Sequence, residues 1–194
     1  MSKWLVAGQL GIVAVMFASA AVVWPVAPES IPVHWSLAGR VDRYVGKLEG
    51  LVLLPVVTLL LVLALRLLPR IDPQRRRYAE FAGAYAAAGL AVVAFLAGVH
   101  ALVLAWALDL RVNVGVVLAA LVGLLLSVLG SLLGQVRPNW FFGIRTPWTL
   151  SSERSWTATH RLGRWVLLVM GLAIGLAGLV QAPWAWYLVV ARRS

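Results

Sequence analysis

The chain contains no cysteine and, over 194 residues, only seven acidic side chains. Without cysteine there are no disulfides, no thiolate metal sites and no thiol nucleophile. With acids so scarce, none of the long apolar runs holds a carboxylate, so paired intramembrane carboxylates and a proton relay through them are excluded. A nucleophile motif and a glycine-rich phosphate loop are missing as well. The residues therefore assign no catalytic side chain, no metal site and no cofactor, and an enzyme is the minority reading. Charged residues of any kind make up 12%, against roughly a quarter in soluble domains.

What fills the space is apolar. Hydrophobic residues reach 62% and mean hydropathy is +0.90, which predicts an all-α polytopic membrane protein. Runs of about 20 apolar residues cross a hydrocarbon core. Five such runs are present: Trp4 to Val26, Leu51 to Leu68, Phe81 to Leu108, Val114 to Leu133 and Trp165 to Val180. The first outlasts a signal-peptide core and reads as an uncleaved anchor. After Pro183 few residues remain for an independent sixth crossing, so five spans are expected and six are possible, with a kinked or interfacial C-terminal segment as the alternative to a sixth span.

The net charge of +10 does not point to nucleic acid, because most of the cations flank apolar runs, where the positive-inside bias and anionic headgroups account for them. Residues 27–50 balance three acids with three bases and read as an extracytoplasmic loop. Pro28, Pro32 and Gly39 favour a short strand and turn there over a helix. Five arginines from Arg66 to Arg77 outweigh Asp72 and Glu80, and five more in residues 135–164 outweigh Glu153, which predicts that both segments and the N-terminus are cytoplasmic. Two regions follow: a helix pair with its outer loop (1–68), and a helical region (69–194) with a cytoplasmic loop (135–164). The short turn 109–113 makes the third and fourth spans antiparallel neighbours. Gly115, Ala119, Gly123, Ser127 and Ser131 draw a small-residue stripe down the fourth, and Gly171 and Gly175 stand at GxxxG spacing in the fifth.

Pro138 to Arg164, PNWFFGIRTPWTLSSERSWTATHRLGR, is the most specific stretch. Asn139, Gly143 to Ser152, Trp156, Thr159, His160 and Arg161 resemble the signature of the SdpI family, bacterial integral membrane immunity proteins. Ile31 to Trp35, with Gly39, Asp42 and Lys47, resembles the small extracytoplasmic domain of unknown function that often precedes it. The resemblance implies a protein of the bacterial cytoplasmic membrane that gives resistance to an extracellular antimicrobial peptide. It further implies a signalling role, with a transcriptional repressor held at the inner face. No direct nucleic-acid contact is expected, and the oligomeric state is open.

Within this stretch Ser151 is a candidate N-cap for a short interfacial helix from Ser152 to Leu162, with Gly163 as its stop. Glu153, Trp156 and His160 would then share one face, either docking a partner, with His160 able to change charge near neutral pH, or lying at headgroup depth. Pro147 holds the preceding backbone extended, so Arg145 can present a fixed fork to a phosphate or a partner carboxylate, or tie structurally to Glu153. The partner- or ligand-binding candidates are Asn139, Arg145, Thr146, Trp148, Ser151, Glu153, Trp156, His160 and Arg161. Outside, His34, Trp35 and Asp42 are candidates for sensing, and a His34–Asp42 hydrogen bond is expected to hold the turn in preference to a metal. His100, deep in the third span, is expected to hydrogen-bond a serine or a backbone carbonyl. Besides membrane lipids, the expected partners are the peptide toxin and the repressor. The alternative is a membrane enzyme or lipid-headgroup-binding protein using the cytoplasmic Arg/Trp/His segment. A transporter would show repeated halves, and none is readable.

Overall fold

The computed structural model describes residues 3–36 and 40–180. Gly39 and the C-terminal segment after Val180 lie outside the described residues. Within them run α1 (Lys3–Val23), a β-hairpin of β1 (Ser30–Trp35) and β2 (Val41–Gly46), α2 (Lys47–Ile71), a 3-10 helix (Arg75–Ala79), α3 (Ala82–Ala107), α4 (Val114–Leu133), α5 (Pro147–Ser151) and α6 (Glu153–Val180). Among the described residues α1, α2, α3, α4 and α6 are long and apolar enough to cross a membrane, as the sequence predicts. Their outward faces stay apolar: on α2, Leu53, Val56, Val57, Leu60, Leu63 and Leu67 recur at three- and four-residue spacing and are exposed. An apolar helix face with no protein against it belongs against lipid.

The hairpin is antiparallel, pairing Ile31 with Val45 and Trp35 with Val41, and its register breaks on either side of His34. It is seated, not tethered. Ile31 is fully buried among Ala20, Val23, Leu51, Val103 and Ala107, and it lies so close to Gly50 that a Cβ there would stand 2.8 Å from the Ile31 Cβ. Trp35 meets Trp106 of α3 edge-on at 5.5 Å. The ends of α1, α2 and α3 thus fix the hairpin's orientation.

Close approach of backbones organises the other half. A Cβ on Gly123 of α4 would stand 2.7 Å from the Gly171 carbonyl of α6, one on Gly171 would stand 2.5 Å from Ser127 Oγ, and one on Gly130 would stand 2.9 Å from the Leu168 nitrogen. The small-residue stripe is therefore a helix-packing seam, but its ends differ from expectation. Gly115 and Ser131 are exposed. At 3.6 residues per turn an every-fourth-residue row drifts around the helix, and Gly130 takes the place foreseen for Ser131. Gly171→Leu is expected to destabilise the chain by about 2–3 kcal/mol, the cost of forcing a side chain into backbone contact. Gly175→Leu, where a Cβ meets nothing within 4 Å, should cost far less. Unfolding of both variants by sodium dodecyl sulfate in mixed micelles checks the ordering.

Candidate functional site

The signature segment folds as one unit with the 3-10 helix, and buried Asn139 sits at its centre. Asn139 Oδ1 accepts from the backbone N–H groups of Phe141 (3.0 Å) and Phe142 (2.6 Å), and its Nδ2 donates to the carbonyls of Arg137 (2.8 Å) and Phe142 (2.9 Å). This side chain does for the loop what a ladder does for a strand. Tyr78 of the 3-10 helix donates to Asp72 Oδ2 at 2.9 Å and lies 3.2 Å from Asn139 Oδ1. Burial pushes the Tyr78 phenol far above its ordinary range, with the hydrogen bond to Asp72 and its negative charge acting in the same direction, so Tyr78 remains a donor.

Asp72 ties the two segments together. It is 2% exposed and accepts from the Gln74 N–H (2.7 Å), the Tyr78 hydroxyl and, 68 residues away, the Trp140 N–H (2.9 Å). Two exposed ion pairs reinforce the junction, Arg77 with Glu153 and Arg137 with Glu80 at 3.4 Å. Beneath lies an aromatic floor: Tyr85 stands edge-on to Tyr78 (5.2 Å) and to Phe142 (5.3 Å).

Beyond Gly143 the chain rises to α5. Thr146 is its N-cap in extended conformation, Pro147 occupies the first turn, and Thr146 and Thr149 cap each other reciprocally (2.8 and 3.3 Å). The Thr149 hydroxyl also donates to the Ile144 carbonyl at 2.9 Å. Ser152, not Ser151, caps the next helix, accepting from the Ser155 N–H at 3.3 Å. That helix does not stop at Gly163. It continues as α6 to Val180, because Gly163 serves close packing: a Cβ there would stand 2.6 Å from Ile144 Cδ1. The expected short helix is the first three turns of a span.

Three further expectations are corrected. Trp156 does not face lipid headgroups but is 1% exposed, with Nε1 donating to the Val136 carbonyl at 2.9 Å. His160 stacks on it at 4.1 Å, its Nδ1 lies 2.9 Å from the Trp156 carbonyl, and its Nε2 accepts from the Ile144 N–H at 3.1 Å. Those two partners require the neutral ring with its proton on Nδ1, so His160 is a fixed bracket here and not a free switch. Arg145 does not tie to Glu153, whose partner is Arg77; it donates to the Trp140 carbonyl at 2.8 Å and stays exposed.

Two populations of signature residues result. Asn139, Thr149, Trp156 and His160 are buried and build the platform. Arg145, Trp148, Ser151, Glu153 and Arg161 are exposed, with half-exposed Trp140 beside Arg145. Asp72 and Tyr78 escape a sequence reading, since one acid among arginines reads as a surface charge. The only hint is its place immediately before Pro73 at a helix end.

At the hairpin end, His34 Nδ1 and Asp42 Oδ1 are 2.6 Å apart, which is the hydrogen bond expected of them, and both side chains are largely exposed. Trp35 is packed on Trp106. His100 is buried on α3 with the Met16 backbone of α1 beside its ring, the kind of partner expected of it.

Residues 135–191 match the SdpI/YfhL protein family, and residues 11–59 match a domain of unknown function (DUF1648). Both resemblances drawn from the sequence are thereby borne out, in the expected order. No curated protein and no solved structure matches the chain.

Proposed function

Carrying an SdpI/YfhL region behind a DUF1648 region, this multi-pass membrane chain is, we propose, an immunity protein of the bacterial cytoplasmic membrane that protects against an extracellular membrane-active peptide. The observation that carries the reading is the division of labour in the signature segment. A loop needed only to join two spans has no use for a buried Asn139, Thr149, Trp156 and His160. Such a network holds a surface in one shape, and the surface it holds bears Arg145, Trp148 and Arg161. A rigid basic and aromatic face suits docking, and a repressor protein at the inner membrane face is the partner the family resemblance implies.

The charge distribution supports the corresponding orientation. The arginines of residues 66–77 and 135–164 gather at the end opposite the hairpin, so the signature platform is cytoplasmic, the N-terminus with it, and the hairpin outside. There the His34–Asp42 pair, exposed on a seated hairpin, meets the peptide first.

Survival of a sensitive bacterial host under a panel of membrane-active peptides tests the proposal. The parent chain is expected to raise survival at least tenfold against one of them. His34→Ala is expected to lose that protection if the hairpin senses the peptide, and Arg145→Ala if the platform acts, at matched membrane expression. No protection by the parent against any peptide overturns the reading. A second reading, a lipid-headgroup-binding protein, is favoured by exposed Arg145, held on the Trp140 carbonyl, in the same segment as exposed Trp140 and Trp148, side chains suited to an anionic headgroup and the headgroup layer. Binding of anionic over zwitterionic lipid by the purified chain, lost in Arg145→Ala, would select it.

A further inference from the structure

The turn after α2 leaves four arginines around one hollow. Asp72, the residue before Pro73, is extended and ends the helix, and the Gln74 and Arg75 N–H groups fold back onto its carboxylate (2.7 Å) and carbonyl (3.0 Å), leading the chain into the 3-10 helix. The result is a concavity of about 640 Å³ lined by residues 70–77, with Arg70 from the last turn of α2 and Arg75, Arg76 and Arg77 from the 3-10 helix. Other arginines are spent on protein partners: Arg77 on Glu153, Arg137 on Glu80, Arg111 on Asp109 and Arg145 on the Trp140 carbonyl. Among the described residues Arg70, Arg75 and Arg76 have no such partner, and all three are exposed. Asp72, the one acid in the lining, is buried, and its two oxygens already accept from three donors.

Guanidiniums gathered around one hollow repel each other, and an anion among them turns that repulsion into attraction. Depth narrows which anion. The apolar stretch of α2, Leu51 to Leu68, is about 27 Å long and nearly fills a hydrocarbon core of about 30 Å. Arg70 and Ile71 therefore stand where hydrocarbon gives way to headgroups. Ile71 belongs to the lining and is 55% exposed, and Leu67, one turn earlier on the same helix face, is 51% exposed. The hollow thus joins guanidiniums to an apolar edge. A free phosphate has no use for that edge, whereas a phosphate carrying acyl chains does.

We propose that this concavity binds the headgroup of an anionic phospholipid, with its phosphate oxygens on the guanidiniums of Arg70, Arg75 and Arg76 and an acyl chain along Ile71 and Leu67. Guanidinium forks match phosphate oxygens two at a time. Cations scattered beside a span need only the general attraction of an anionic surface, whereas arginines set around a hollow hold one lipid in place. The site shares no residue with the Arg145 surface of the lipid-headgroup reading, and it stands whether or not the chain protects against a peptide.

The test uses the full chain in uncharged detergent micelles, with bound lipid counted by native mass spectrometry. The probes are dioleoyl phosphatidylglycerol, phosphatidylcholine with the same tails, and inorganic phosphate. Phosphatidylglycerol is expected to fill one site at least tenfold more tightly than phosphatidylcholine, and inorganic phosphate at the same concentration is expected not to displace it. Arg75→Gln combined with Arg76→Gln should weaken that site at least tenfold. Arg40→Gln combined with Arg43→Gln removes the same charge from the hairpin and should change it less than twofold. Ile71→Ser keeps every charge and should weaken it severalfold by making the apolar edge polar. All five side chains are exposed, so the substitutions leave the packing of the spans alone. Equal binding of the two lipids, displacement by inorganic phosphate, an equal loss in the hairpin variant, or parent-like binding after Ile71→Ser would overturn the proposal. So would parent-like binding after the paired Arg75 and Arg76 substitutions; a loss in Arg145→Ala alone would then place the lipid on the signature segment.

Discussion

Gly143→Ala is expected to destabilise the chain by about 3–5 kcal/mol, a large effect for a single methyl group. Gly143 has φ +107°, a backbone region that residues with a Cβ rarely adopt. Strain of that kind alone costs of order 1–3 kcal/mol. The added carbon would also stand 2.5 Å from His160 Nε2 and 3.4 Å from Trp156 Cζ2. His160 has little freedom to retreat: it is stacked on Trp156 and bonded to the Ile144 N–H and the Trp156 carbonyl. Relieving the clash therefore breaks the bracket that joins the loop to α6. Gly83→Ala is the control, since a Cβ there meets nothing within 4 Å and lies in the first turn of α3; it should be neutral or slightly stabilising. Titration with sodium dodecyl sulfate in mixed micelles measures both, and proteolytic nicking between residues 137 and 152 should accelerate in Gly143→Ala alone. A Gly143→Ala chain as stable as Gly83→Ala would mean that the loop is not held as described.

The spans were legible because hydrocarbon thickness imposes one length on any crossing helix, and α4 coincides with its expected bounds, Val114 to Leu133. The hairpin was legible because prolines and balanced charge leave little else for residues 27–50. The signature platform was not. Helix stop signals are local, and Gly163 carries such a signal; its actual role is set by Ile144 lying against it, a contact 19 residues distant. The same limitation hid Trp156 and His160. A tryptophan among arginines in a membrane protein ordinarily marks the headgroup layer. Here the long-range hydrogen bond to the Val136 carbonyl and the aromatic floor of Tyr85 and Phe142 create a buried place for it. Arg145 is exposed as expected, but its holder is the Trp140 carbonyl and not Glu153. The seam of α4 and α6 was half legible: small residues announce a close approach, but not which of two neighbouring rows makes it.

Asp72→Ala should come next in effect, at about 3–5 kcal/mol, with Asp72→Asn losing about 1–2 kcal/mol. The alanine strands three donors, the Gln74 N–H, the Trp140 N–H and the Tyr78 hydroxyl, in a place where water does not replace them. A buried donor left unpaired costs about 1–3 kcal/mol. Asparagine separates the two halves of the interaction. Its oxygen can stand in for Oδ2 and keep Trp140 and Tyr78, while its amide nitrogen then faces the Gln74 N–H and gives up that local turn. The difference between the variants thus weighs the tie between the 3-10 helix and the signature loop against the turn after α2. If Asp72 couples the two segments, Asp72→Ala and Asn139→Ala should be non-additive, because both remove partners of Tyr78. A double-mutant cycle of unfolding free energies reads that coupling. Additive losses, or an Asp72→Ala chain whose residues 137–152 resist protease as well as the parent, would leave the signature segment standing on α6 alone. The arginine face it carries would then be positioned without help from the arginine-rich loop before α3.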